Sequence, residues 1–184
     1  MSTIVVLWII VVLWIIIMVI YNKLVSSKNI IDGAVADIDV QMKMRFDLVE
    51  NIVNTVKGYA SHEKETLEKL TIARTSFMNA GSLEDKISAD NQLGQTLKSL
   101  FALSENYPDL KANIGFVTLQ TQLADIEEKI ASSRRYFNAT IKEYNILIQS
   151  FPSNIVASIF KFKNQKDYFT ISNETEKQAP KVNF

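Results

Sequence analysis

His62 and Glu63 open the stretch HEKE, the first half of a motif in which two histidines four residues apart hold zinc while the glutamate activates a water. The second histidine would stand at position 66, which is Thr66, and the chain contains 1 His in all. A His-rich zinc site therefore cannot form within one subunit. A metal-dependent enzyme using His62 and Glu63 is the remotest of the functional readings, and His62 is expected to be solvated or to line a bundle. With 0 Cys, thiolate ligands, cysteine nucleophiles and disulfides are all excluded. Asp32, Asp37, Asp39, Asp47, Glu50, Glu63 and Glu65 alternate with Lys and Arg as solvated helix faces do, Asp39 standing four residues before Lys43. The chain shows no nucleotide-binding loop and no nucleophile elbow. Two glycosylation patterns, at Asn138 and Asn173, read as chance matches. The expectation is a protein that is not an enzyme and needs no cofactor or metal.

Three other positions stand out by placement. Arg45 falls in the middle of an apolar stripe, where a buried guanidinium needs a carboxylate or carbonyls around it. The simpler expectation is that it snorkels past Phe46 to the surface. The sharper one is that it sets register with an acid on a facing helix, Glu127 or Glu128 being candidates. Tyr107 stands in SENYPDLKAN, a connection between helices, where recognition residues often sit; a plain turn capped by that tyrosine is the simpler alternative. Ser133 and Thr140 soften another stripe in the way that polar core layers tune packing.

Helices must position these residues, and the spacing predicts them. Ile31, Val35, Ile38, Met42, Arg45, Val49, Ile52, Val56 and Tyr59 step by four and three, with Phe46, Val53, Ala60 and Leu67 in the adjacent column. Phe116, Leu119, Leu123, Ile126, Ile130, Ser133, Phe137, Thr140, Tyr144, Leu147 and Phe151 repeat the pattern, widened by Ile141 and Ile148. A sustained period near 3.5 predicts long helices packed about 20° apart. Between them, Leu67, Leu70, Ala73 and Phe77 either continue the first helix past Gly58 or form a second after a break near Ser61, a break or bend being the favoured reading, and NAGS at 79 to 82 predicts a turn. Ile87, Leu93, Leu97, Leu100, Phe101 and Leu103 give a third helix, which Pro108 should end. Pro152 should end the longest helix, after which Ile155 to Phe162 folds back on the bundle.

At the front, Ile4 to Ile20 is a run of roughly 17 residues, all Ile, Val, Leu, Trp or Met, which as a helix spans about 25 Å. Uncharged, it favours insertion into a bilayer by several kcal/mol. Ile4, Trp8, Val12, Trp14 and Ile20 are expected to span the membrane. A cleaved signal peptide fits poorly: Met1-Ser2-Thr3 lacks a basic residue, the run is too long, and only a weak cleavage site follows. Lys23 and Lys28 flank the span on its far side, so the N-terminus is expected outside and the remainder in the cytoplasm. With 20 Lys plus Arg against 20 Asp plus Glu, nucleic acid is not an expected partner.

The fold class expected is all-α: one N-terminal transmembrane helix at 1–20, an elongated antiparallel bundle of three to four long helices at 21–169, and a disordered tail at 170–184. Several stretches carry a family resemblance: YNKLVSSKN after the span, IDVQMKMRFDLVENIVNTVKGYASHEKETL, LSENYPDLKAN, FVTLQTQLADIEEKIASSRRYFN, YNILIQSFPSNI and DYF at 167–169. In this order they resemble the LemA family of bacterial proteins, from about Tyr21 to Phe169. The chain departs from the family where Glu50 replaces a common Pro, which should leave the first helix straighter, and where Lys161 replaces a Gly. The resemblance implies a single membrane helix, a short outward tail and a cytoplasmic long-helix bundle. It implies no settled enzymatic activity and no catalytic residues. Because family members are often encoded near membrane proteases or stress-response membrane proteins, it also implies a helper or scaffold role.

The functional expectation is a membrane-anchored scaffold or adaptor that self-associates through stripes too wide for one helix pair, such as the Ile141 and Ile148 column. The expected partners are the bilayer, further copies of the chain, and a membrane protease or other membrane protein. A sensor or binding module acting through Tyr107 is the alternative.

Overall fold

The computed structural model of the protein describes residues 1–60, 62–165 and 169. The expected tail at 170–184 lies outside them, as do Asp167, Tyr168 and Asn173. Among the described residues six helices follow in order: α1 (Ser2–Lys57), α2 (Lys64–Met78), α3 (Leu83–Ser104), α4 (Pro108–Lys111), α5 (Ile114–Gln149) and α6 (Ser153–Ile159). Among the described residues there is no strand. The chain divides into two compact units, one of Ile38–Ala131 and one of Met1–Asp37 with Ser132–Phe184.

The first unit is a four-helix bundle. Glu50 pairs with Arg74, and Phe46 stacks on Phe77 with ring centroids 4.2 Å apart, so α1 and α2 run antiparallel. Asp39 meets Lys86 and Arg45 meets Asp90, so α1 and α3 run parallel. Arg45 meets Glu127 and Tyr59 meets Asn113, so α5 again runs against α1. The result is an up-down-up-down order joined by short connections. Its core holds Ile38, Met42, Phe46, Ile52, Leu70, Leu93, Leu100, Phe116 and Ile130, all nearly inaccessible, and each such side chain contributes about 1.5–3 kcal/mol by leaving water.

Helix α1 ends at Lys57 and α2 begins at Lys64, so the break rather than the continuous helix is observed, Ser61 itself lying outside the described residues. At the next turn Asn79 closes α2 and Ser82 caps α3, its hydroxyl oxygen accepting from the Asp85 N–H at 3.1 Å. Pro108 plays a different part from the one expected. Helix α3 already stops at Ser104, and Pro108 opens the short α4, as suits a residue with no N–H to donate in a first turn.

The second unit contains the start of α1, the end of α5, and α6. Leu24 is fully buried against Val156 and Ala157 of α6, with Ile20, Leu147, Ile148 and Phe162 around them. The fold-back of Ile155 to Phe162 is thus observed. Helix α6 ends in a Schellman motif: the Phe162 N–H bonds the Ala157 carbonyl at 2.9 Å and the Lys161 N–H bonds that of Ser158 at 3.2 Å. Lys161 sits at φ 59°, the left-handed region where glycine is at ease. The geometry accounts for the glycine that the family pattern favours there.

Helix α1 is the one helix among the described residues that is long and apolar enough to cross a membrane. Ile4, Trp8, Val12 and Trp14 are exposed. Ile20, at the far end of the run, is half-buried against the Leu24 cluster. Past it the helix continues without interruption through Glu50 to Lys57.

Candidate functional site

Arg45 does not snorkel. Its side chain is 7 % exposed, with Nη1 2.9 Å from Asp90 Oδ1 and Nη2 2.7 Å from Glu127 Oε2. Asp90 is buried and Glu127 half in water. Three helices of the bundle therefore converge on one guanidinium. Snorkelling past Phe46 fails because Phe46 is itself buried, stacked on Phe77, so the short route out is closed. Gly94 makes room on α3: a Cβ there would stand 3.3 Å from Arg45 Nη2. Arg45 Nε is buried without a hydrogen-bond partner. Such a cluster specifies which helices meet and in what register more than it stabilises, because desolvating the ions offsets most of their attraction.

A second polar cluster ties the end of the bundle. The Tyr107 hydroxyl donates to Glu63 Oε1 at 2.8 Å, and Asn113 Nδ2 donates to the Tyr59 hydroxyl at 2.8 Å. The Tyr107 phenol is held above its ordinary value of 10.0, first by that bond to Glu63, then by burial and by the carboxylate's charge. Glu63 is thus engaged by a phenol while His62 is exposed. Among the described residues no group of three or more His, Cys, Asp or Glu is arranged to hold a metal.

Along α1 and α5 of the bundle, Met44, Asp47, Leu48, Gln122, Ile126 and Lys129 line a shallow groove of about 430 Å³.

In the other unit, Ile141 is buried and Ile148 packs into the Leu24 cluster. The column expected to serve association between copies is therefore engaged inside the chain, Ile148 against the cluster that Val156 and Ala157 of α6 share with Leu24. Thr140 is buried with its hydroxyl donating to the Phe137 carbonyl at 2.8 Å, and Ser133 is half-buried. Two asparagines of α5 do something that periodicity did not predict. Asn145 accepts the Gln165 N–H at 2.9 Å and donates to the Gln165 carbonyl at 2.7 Å. Asn138 does the same for Phe169, at 2.9 Å and 2.8 Å. The Phe169 ring lies edge-on to Phe137, 5.1 Å between centroids, with the Arg134 guanidinium 5.3 Å over its face.

A single apolar span leading into a helical bundle with a buried ionic cluster defines a class of helical proteins with a candidate membrane anchor. Residues 34–184 match the LemA family, and the chain belongs to that family. Among curated proteins it is 28 % identical over 137 residues to Protein LemA of Metamycoplasma hominis, covering 74 % of this chain and 63 % of that one. It is 34 % identical over 91 residues to Magnetosome protein MamQ of Magnetospirillum gryphiswaldense, covering 50 % and 33 %. With Magnetosome protein MamQ 2 of Paramagnetospirillum magneticum it shares 26 % over 175 residues, covering 81 % and 64 %. The chain thus spans from a third to under two-thirds of the length of these relatives.

Proposed function

We infer that the protein is a non-enzymatic scaffold or adaptor anchored in a bacterial cell membrane, serving a membrane protease or another membrane or stress-response protein and associating with further copies of itself. The observation that carries this reading is the continuity of α1. One helix carries the apolar run from Ile4 to Val19 directly into Leu24 and Ile31, which are buried. Such a helix holds that packed face at a bilayer without a linker. Lys23 and Lys28, just past the span, support an outside N-terminus and a cytoplasmic bundle.

The chain's 0 Cys makes the topology test clean. Ser2→Cys and, separately, Ser99→Cys on the exposed side of α3 are labelled in intact cells with a membrane-impermeant maleimide. Labelling of Ser2→Cys alone is expected. Labelling of Ser99→Cys alone would place the bundle outside and overturn the orientation. Self-association is tested by sedimentation in mild detergent, where a monomer at every concentration would remove that part. A recognition role for Tyr107 competes with its bond to Glu63. Under the scaffold reading, partner capture is unchanged by Tyr107→Ala.

A further inference from the structure

The two asparagines on α5 read backbone. A side-chain amide offers one acceptor and two donors, and each asparagine spends its oxygen on the N–H and its nitrogen on the C=O of one and the same residue, Gln165 or Phe169. A neighbouring strand would satisfy an extended chain in this way at a sheet edge. Here a helix does so, at two points seven residues apart, where its side chains return to nearly the same face. Nothing in these four bonds depends on which side chain the captured residues carry.

Selectivity comes from the ring pocket beside Asn138. Phe137 offers its ring at 83° to that of Phe169, and Arg134 lies over the Phe169 face within the distance at which cation–π attraction operates. The arrangement suits a peptide whose aromatic residue stands four positions after a residue held through its backbone. The segment reaches it from the corner at Lys161, where the chain turns off α6 in a left-handed conformation.

We propose that this face of α5, from Arg134 to Asn145, is a binding site for a peptide bearing an aromatic side chain, occupied in cis by Gln165 and Phe169, and that its trans occupant is the same segment of a second copy of this chain. The copy is the source because its segment is the one ligand whose fit the structure displays. Exchange of an identical element between copies needs no new surface. A tethered occupant competes at roughly millimolar effective concentration, so trans binding shows itself once the cis contact is released. The proposal rests on the self-association inferred above and supplies the contact that the Ile141 and Ile148 column does not.

The test mixes two full-length variants carrying different tags in mild detergent. One, Asn138→Ala with Asn145→Ala, keeps its segment and loses the receiving face. The other, Gln165→Pro with Phe169→Ala, keeps the face and loses the segment, since proline has no N–H to give Asn145. Capture of one by the other is expected to exceed capture within either variant, or between wild-type chains, by about tenfold as the tethered competitor is removed. Equal capture in all pairings would overturn segment exchange while leaving association through another surface. No capture in any pairing would overturn both. A synthetic peptide of residues 162–172 is titrated into the segment-less variant in parallel. If it binds while the mixture yields no pair, the second copy is overturned as the source in favour of another polypeptide. Should the alanine pair lose helicity, Asn138→Gln with Asn145→Gln, which shifts each amide by one methylene, takes its place.

Discussion

The two units of the molecule use polar groups in opposite ways. In the four-helix bundle, Arg45 is buried among helices and pairs with Asp90 on α3 and Glu127 on α5, so charge specifies which helix faces meet. In the other unit, Leu24, Val156 and Ala157 make a small apolar cluster, and the polar work is done by asparagine amides on backbone groups. Buried ions tolerate no loss of a partner, whereas neutral amides at a half-buried helix face can release and re-form their bonds. One unit uses charge to make its packing unique, the other uses amides to hold backbone.

The sharpest way to break this contrast is to remove one ion. Asp90→Ala leaves the buried guanidinium with only the half-exposed Glu127 and should cost about 3 kcal/mol, the low end for a broken buried pair. Arg45→Met with Asp90→Leu removes both charges and should recover most of that loss. Chemical denaturation measures both, and hydrogen exchange should place the single variant's loss in α1, α3 and α5 of the bundle. Leu24→Ala probes the other unit. It should cost about 2 kcal/mol, at the low end for a buried leucine because its cluster is small, and exchange should rise first in α6.

Two smaller changes should stabilise. Lys161→Gly relieves the left-handed corner by about 1 kcal/mol. Gly33→Ala, where a Cβ meets nothing within 4 Å, should add about 0.5–1 kcal/mol. Gly94→Ala should fail to deliver the same gain, because its methyl group crowds the Arg45 guanidinium. Thermal melts of the three variants decide this.

Each unit also holds a phenol that ionises late. Tyr107 is raised first by its bond to Glu63, and Tyr144 first by burial and then by the charge of Asp32. A raised phenol pKa means that the protonated form is favoured by folding. Its stabilising contribution is whole below about pH 10, the ordinary phenol value, and is lost as pH climbs through the higher folded value. Absorbance titration at alkaline pH should show two late tyrosines, with Tyr107→Phe and Tyr144→Phe each removing one.

Periodicity revealed the helices because burial repeats with the helical turn. All four residues that predicted α2, Leu67, Leu70, Ala73 and Phe77, are buried. Arg45 was visible as a charge in an apolar slot, and Glu127 as an acid on the opposing helix. Asp90 was missed, although it occupies the same kind of slot between Ile87 and Leu93. Two opposite charges, each intruding on a different apolar stripe, are the signal that would have joined them. The asparagines were missed for a different reason. Asn138 and Asn145 follow Phe137 and Tyr144 at a spacing of seven, but what they bind is backbone, which leaves no pattern in side-chain types. Ile141 and Ile148 looked surplus because, although a fold-back of Ile155 to Phe162 was expected, periodicity does not say which residues it covers, and Ile148 is one that packs with it.

The unbroken α1 has an angular consequence. The apolar run and the buried positions Leu24 and Ile31 share one helix with no joint between them, so the side of the span turned to any neighbour in the bilayer is fixed in phase with the packed face below it. One residue inserted between Ile20 and Leu24 would rotate the span by about 100° against that face, while seven would restore it to within about 20°.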